Sequence, residues 1–145
     1  MMIEPKTIYM CDDDQDLLKA VSSFLRYSGY RVETASEYKE LAEKLREKVP
    51  NLLILDIRMP ERDGLWIAEG LHVWGSKVPI IFMTGYDKSF NRFYAPFIGS
   101  FQYLVKPVAL QLLLEKIKQA LFAKPKHTLK YIIAIRLYGN ESNHS

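Results

Sequence analysis

Five times within the first 124 residues, a short apolar run gives way to a stretch whose apolar residues recur at intervals of three and four. Strands joined through helices must lie parallel, and strands covered by helices on both faces read as continuous apolar runs. The chain is therefore expected to be an α/β domain with helices on both faces of a parallel sheet. Ile8 to Cys11 is the first strand, followed by a helix carrying Leu17, Leu18, Val21, Phe24 and Leu25 and stopped near Gly29. Arg31 to Ala35 reads as an edge strand. Ser36 is expected to cap the next helix, whose stripe of Tyr38, Leu41, Ala42 and Leu45 ends ahead of Pro50.

Leu52 to Leu55 is an uninterrupted apolar strand of the kind that lies at a sheet centre. A loop with Pro60 and Gly64 leads to a helix around Leu65 to Trp74. Pro79 to Met83 is the fourth strand, followed by a helix from about Ser89 to Phe97 that carries Phe90, Phe93, Tyr94 and Phe97. Gln102 to Val105 is the fifth strand. Leu110, Leu113, Leu114, Ile117, Ala120 and Leu121 form the apolar face of the last helix, which ends before Pro125.

These elements place one domain over residues 1–124 and a tail over 125–145. In the tail, alternation from Leu129 to Leu137 suits one extra strand, with Asn140 to Ser145 a polar, disordered end or linker stump. A lone strand cannot bury itself, so it adds to the sheet edge or pairs with a partner. The net charge of +3 is mild, with three of the 20 basic residues and one of the 17 acidic residues after Lys124. Direct nucleic-acid binding, which uses a dense basic stripe, is not expected. No apolar run approaches the roughly 20 residues that span a bilayer, and no membrane partner is expected. The single Cys11 and the start Met1 to Lys6, which has no apolar leader, are read as cytoplasmic.

The chemistry lies in the residues that end the strands. Asp12, Asp13 and Asp14 follow the first, Asp56 the third, Thr84 ends the fourth, and Lys106 follows the fifth. In an open parallel α/β sheet the ligand crevice lies at the carboxyl ends of the strands, so these groups converge. Singly, each has a plain explanation: an acid after a strand is often a helix cap, as Asp14 or Asp16 is suited to be, and a loop Lys or Thr is usually solvated. Together they imply a cation, because like charges about 4 Å apart repel by about 4 kcal/mol at an effective dielectric of 20. Carboxylates, a backbone carbonyl and waters suit octahedral Mg²⁺, which in turn shares its coordination with phosphoryl oxygens. On this chemistry Asp56 accepts a phosphoryl group as nucleophile, the acids after the first strand hold the metal, and Lys106 and Thr84 hold the product phosphoryl.

Taken together, the segments Ile8 to Asp14, Leu53 to Pro60 with Asp63-Gly64, Met83-Thr84-Gly85 and Tyr103 to Pro107 resemble the receiver domain of bacterial two-component response regulators, over about residues 5 to 123. The resemblance implies a doubly wound, flavodoxin-like five-stranded parallel sheet in the order 2-1-3-4-5. It also implies Asp12 and Asp13 as the acidic pair, with Asp13 a direct Mg²⁺ ligand, Asp56 both ligand and phosphorylation site, and Arg58 contributing its backbone carbonyl. Thr84 would be the switch hydroxyl, Lys106 the ion-pair partner of the phosphoryl group, and Tyr103 the aromatic that turns inward when Thr84 moves. Lys106-Pro107 would be cis. A histidine kinase or phosphotransfer protein would be the donor. Phe90, Phe93, Tyr94 and Phe97 cannot all face the sheet at their spacing, so two readings stand side by side: a mobile, partly packed helix, or a partner or dimer face, with Tyr103, that phosphorylation switches.

Cys11 stands where an aliphatic residue is commoner in that family, Arg58 and Tyr86 occupy its variable positions flanking the phosphoryl group, and the aromatic helix is unusual for it. The tail lacks the patterning of a helix-turn-helix reader or a catalytic output domain. Two other functions remain as alternatives: an interaction module that uses the fold without phosphorylation, and a haloacid-dehalogenase-like phosphatase with Asp12 as nucleophile. The phosphatase needs further acids after the lysine, where the chain offers only Glu115 and Glu141. A calcium loop beginning at Asp12 fails, having Leu17 where Gly is needed and Ser23 where Glu is needed. On the leading reading the chain is a phosphoacceptor that assists its own phosphorylation and dephosphorylation, not a metabolic enzyme.

Overall fold

The structure, a computed structural model, describes residues 3–56, 70, 77–85 and 102–122, with the backbone alone at Thr84, Gln102 and Tyr103. The elements are β1 (Thr7–Cys11), α1 (Gln15–Tyr27), β2 (Arg31–Ala35), α2 (Tyr38–Glu47), β3 (Leu52–Asp56), β4 (Ile80–Thr84), β5 (Gln102–Val105) and α3 (Leu110–Phe122). The five strands form one parallel sheet in the order β2-β1-β3-β4-β5. From β1 the chain winds outward to β2 and then returns to the other side as β3, so the order reverses between β1 and β3. The sheet matches the order implied by the resemblance, and β2 is an edge strand.

Local chemistry explains where the elements start and stop. Asp14 caps α1 by accepting from the Leu17 amide at 3.0 Å, with Asp16 in the first turn and Arg26 in the last, each complementing the helix dipole. The helix closes as the Gly29 amide donates to the Arg26 carbonyl and the Tyr30 amide to that of Leu25. This ending needs the left-handed backbone at Gly29, whose φ is 101°. The Arg26 guanidinium then reaches the Val32 carbonyl at 2.8 Å, tying the end of α1 to β2.

One expectation is corrected at the start of α2. Glu37, not Ser36, holds the cap position, and no side chain caps the helix. The Ser36 amide instead donates to the Glu40 carboxylate at 3.2 Å. The helix begins one residue later than a Ser36 cap requires, so the Ser36 hydroxyl is not the group that meets the free amides.

Alternation along β1 divides the core into two layers. Ile8 and Met10 join Leu18, Val21 and Leu25 of α1 and Leu113, Ile117 and Ala120 of α3. Tyr9 and Cys11 point to the opposite face, where α2 packs over β1 and β2 with Tyr38, Leu41 and Leu45 buried. Leu52, Leu53, Ile54 and Leu55 are all fully buried, as the apolar run requires. Each contributes on the order of 1.5–3 kcal/mol of burial, which fixes β3 and the Asp56 that ends it. Leu110 lies at the rim of its helix face, 36% exposed, not within the core.

The loop of Pro60 and Gly64, the helix around Leu65 to Trp74, the aromatic helix of Phe90, Phe93, Tyr94 and Phe97, and the 125–145 tail lie outside the described residues. Among the described residues no helix is long and apolar enough to cross a membrane.

Candidate functional site

Each strand delivers its terminal residue to the same edge of the sheet. Asp12 follows β1 directly, with its amide held by the Ala35 carbonyl at 3.1 Å and its Oδ1 accepting from the Asp14 amide at 2.9 Å. Asp56 is the last residue of β3, opposite Met83 in the ladder. Lys106 follows β5, and its peptide bond to Pro107 is cis. Asp12 is fully buried and Asp56 is 5% exposed, whereas Asp13 faces solvent.

Lys106 reaches across the crevice between the two buried acids. Its ammonium lies 2.6 Å from Asp12 Oδ2 and donates to Asp56 Oδ2 at 3.1 Å. The contact with Asp12 is an ion pair, and Asp12 Oδ2 is buried with no other partner among the described residues. Burial works against the lysine's charge, but the carboxylates of Asp12 and Asp56 outweigh it and hold Lys106 above its usual value.

Among the described residues, one ammonium stands against three carboxylates. Asp12, Asp13 and Asp56 each offer an oxygen, and these oxygens lie within 4.8 Å of one another. Three hard oxygen donors this close, two of them on buried residues, fit a small divalent cation, so the cluster has the composition of a metal site.

The structure thus brings together Asp12, Asp13, Asp56 and Lys106 of the residues singled out from sequence. The backbone of Thr84 closes β4 and that of Tyr103 lies within β5, while their side chains, and Arg58 and Tyr86 entirely, lie outside the described part. One contact was not anticipated: the Tyr38 hydroxyl donates to the main-chain carbonyl of Asp56 at 2.5 Å. From sequence, Tyr38 is only the first member of an apolar stripe. Its signal is its place, in the first helical turn after a strand's carboxyl end.

Residues 8–118 match the family model for the response regulator receiver domain. The chain belongs to that family. The receiver is 34% identical over 114 residues to the response regulator MprA of Mycobacterium leprae, a match covering 79% of this chain and 50% of that protein. It is 33% identical over 118 residues to the transcriptional regulatory protein ZraR of Klebsiella oxytoca, covering 81% of this chain and 27% of that one. Among solved structures it superposes on a CheY-like receiver domain protein from Methanospirillum hungatei with a TM-score of 0.72 and 33% identity, covering 81% of this chain and 94% of that one. The receiver spans about half the length of MprA and about a quarter of ZraR. It is a signalling domain of two-component response regulators, a class that works with histidine kinases.

Proposed function

We propose that this receiver is the phosphoacceptor of a two-component phosphorelay and that Asp56 takes the phosphoryl group. The observation that carries this is the arrangement of Asp12, Asp13, Asp56 and Lys106 at the strand ends, three clustered carboxylates beside an ammonium. A carboxylate oxygen of Asp56 forms a new P–O bond as the P–N bond of a phosphohistidine donor breaks, and the electron pair returns to the leaving imidazole. The donor is a histidine kinase or phosphotransfer protein.

Asp12, Asp13, Asp56 and the Arg58 carbonyl are the groups that would hold Mg²⁺, which when bound neutralises charge on the phosphoryl oxygens. Lys106 supplies a second positive charge beside Asp12 and Asp56. Its present partners are the same carboxylates, so phosphorylation of Asp56 replaces one acceptor with a more highly charged one within reach of the ammonium. Thr84 at the end of β4 donates to the same group, and Tyr103 and the aromatic segment of Phe90, Phe93, Tyr94 and Phe97 form the face that the change biases toward a partner or a second copy. In this proposal residues 1–124 form the receiver, residues 125–145 are an appended tail, and the setting is cytoplasmic. The chain assists its own phosphorylation and dephosphorylation and has no metabolic substrate.

Intact-mass analysis after incubation with acetyl phosphate tests the proposal. The native chain should gain a single phosphoryl adduct only when Mg²⁺ is supplied, and Asp56→Asn should gain none. An adduct that persists in Asp56→Asn, or none on the native chain, would contradict it.

A further inference from the structure

Among the described residues, the chemistry proposed above leaves the buried polar side chain of Tyr38, beside the site, without a role. It opens α2, is 3% exposed, and spans 18 residues of sequence to donate its hydroxyl proton to the Asp56 carbonyl. Filling the core there requires no hydroxyl, since Leu41 and Leu45 complete the same stripe with hydrocarbon alone. A buried hydroxyl is costly unless it is hydrogen-bonded, and this one is spent on the peptide that follows the phosphoacceptor.

That peptide lies where sheet support thins. The β1–β3 ladder ends with Cys11 opposite Leu55, so β1 offers no residue opposite Asp56, and the strand pairing of Asp56 runs to β4 through Met83. The hydroxyl arrives from α2 at the step where the ladder stops. It also closes a circuit: the Asp12 amide is bonded to Ala35, the Asp12 carboxylate meets Lys106, Lys106 donates to Asp56, and Asp56 is bonded to Tyr38, three residues beyond Ala35. Cutting the circuit at Tyr38 removes one support of the Asp56 main chain without deleting any carboxylate.

We propose that Tyr38 is a positioning residue, whose hydroxyl holds the Asp56 main chain so that its carboxylate meets a bound cation together with those of Asp12 and Asp13. This rests on the phosphoacceptor assignment of Asp56 for its consequence, but its direct effect is on the geometry of the cation site. Position within a few tenths of an ångström decides whether three carboxylates share one small ion, since Mg²⁺ tolerates little departure from octahedral geometry.

The test compares native chain, Tyr38→Phe and Leu41→Ala, all well below their unfolding temperatures, by following the amide NMR shifts of Asp12, Asp13 and Asp56 through a titration with MgCl₂ alone. Tyr38→Phe keeps the ring and removes only the hydroxyl. Leu41→Ala opens a cavity in the same helix stripe without touching Asp56, so it controls for general loosening. For Tyr38→Phe the Mg²⁺ midpoint should rise about three- to tenfold, the equivalent of one hydrogen bond's net worth, while in Leu41→Ala it stays at the native value. The acetyl phosphate adduct should form more slowly in Tyr38→Phe by the same factor at limiting Mg²⁺ and recover at saturation. An unchanged midpoint in Tyr38→Phe, an equal shift in Leu41→Ala, or a native chain that binds no Mg²⁺ would each overturn the proposal. A shifted midpoint in a protein that forms no adduct would support the positioning role and refute the phosphoacceptor assignment instead.

Discussion

The two ends of the same sheet solve opposite problems. At the amino end, polar groups close on one another: the Thr7 amide donates to the Asn51 side chain at 2.8 Å, the Asn51 amide to the Thr7 carbonyl at 2.9 Å, and the Arg31 amide to the Lys6 carbonyl at 3.0 Å. These bonds join neighbouring strand starts to one another. At the carboxyl end, among the described residues, two buried acids and one exposed acid gather around the Lys106 ammonium. The strands between are apolar and fully buried along β3, so the same rigid element carries the inert end and the charged one. The contrast shows how a parallel α/β domain separates stability from chemistry along a span of only five residues.

Substitutions along β3 and at its two ends should separate these roles. The largest loss is expected midway: Ile54→Ala removes a fully buried side chain and should cost about 2–5 kcal/mol in denaturant unfolding. Its folded fraction should still bind Mg²⁺ with native affinity. Equal damage to Mg²⁺ binding would mean that the site depends on core packing in general and not on the strand ends.

At the carboxyl end, Lys106→Ala leaves Asp12 and Asp56 facing each other without their ammonium and should cost about 1–3 kcal/mol. Added Mg²⁺ should recover part of that loss, a recovery that Ile54→Ala lacks. The pH dependence follows from the sign of the shift. Because Lys106 is held above its usual value of 10.5, the stability from its pairing is fully present below that pH and is lost only as pH rises through the higher folded value. The gap between native chain and Lys106→Ala should therefore stay constant from pH 7 to pH 9 and narrow only in strong alkali. A gap that closes near neutrality would contradict this ion pair.

Much of this division was legible in the sequence. The run Leu52 to Leu55 fitted a central strand, and the placement of Asp12, Asp13, Asp56 and Lys106 just after apolar runs marked one crevice. What was not legible depends on reach and register. A stripe position does not reveal that the Tyr38 hydroxyl extends past the core to the Asp56 carbonyl, because that requires the offset between α2 and β3. Nor does it show that Lys106 sits closer to Asp12 than to Asp56, a difference of a few tenths of an ångström set by the path out of β5. The Ser36 cap failed for a similar reason: a hydroxyl one residue out of phase with the helix start leaves only its amide to be bonded.

The smallest effect belongs to the amino end. Asn51→Ala removes one exposed side-chain hydrogen bond to Thr7 and should cost about 0.5–1.5 kcal/mol, with no change in Mg²⁺ affinity or in adduct formation. A change in either would show that the two ends are coupled through the strands.

The cation site proposed at the carboxyl end is tested most directly by unfolding the protein with and without Mg²⁺, in the native chain and in Asp13→Asn. At ten times the dissociation constant the native chain should gain about 1.4 kcal/mol. Asp13→Asn should be no less stable than native without the metal, because a repulsive charge is gone, and should lose most of the Mg²⁺-dependent gain. A native chain whose stability ignores Mg²⁺, or an Asp13→Asn variant that gains as much as native, would contradict the assignment of this strand end as a cation site.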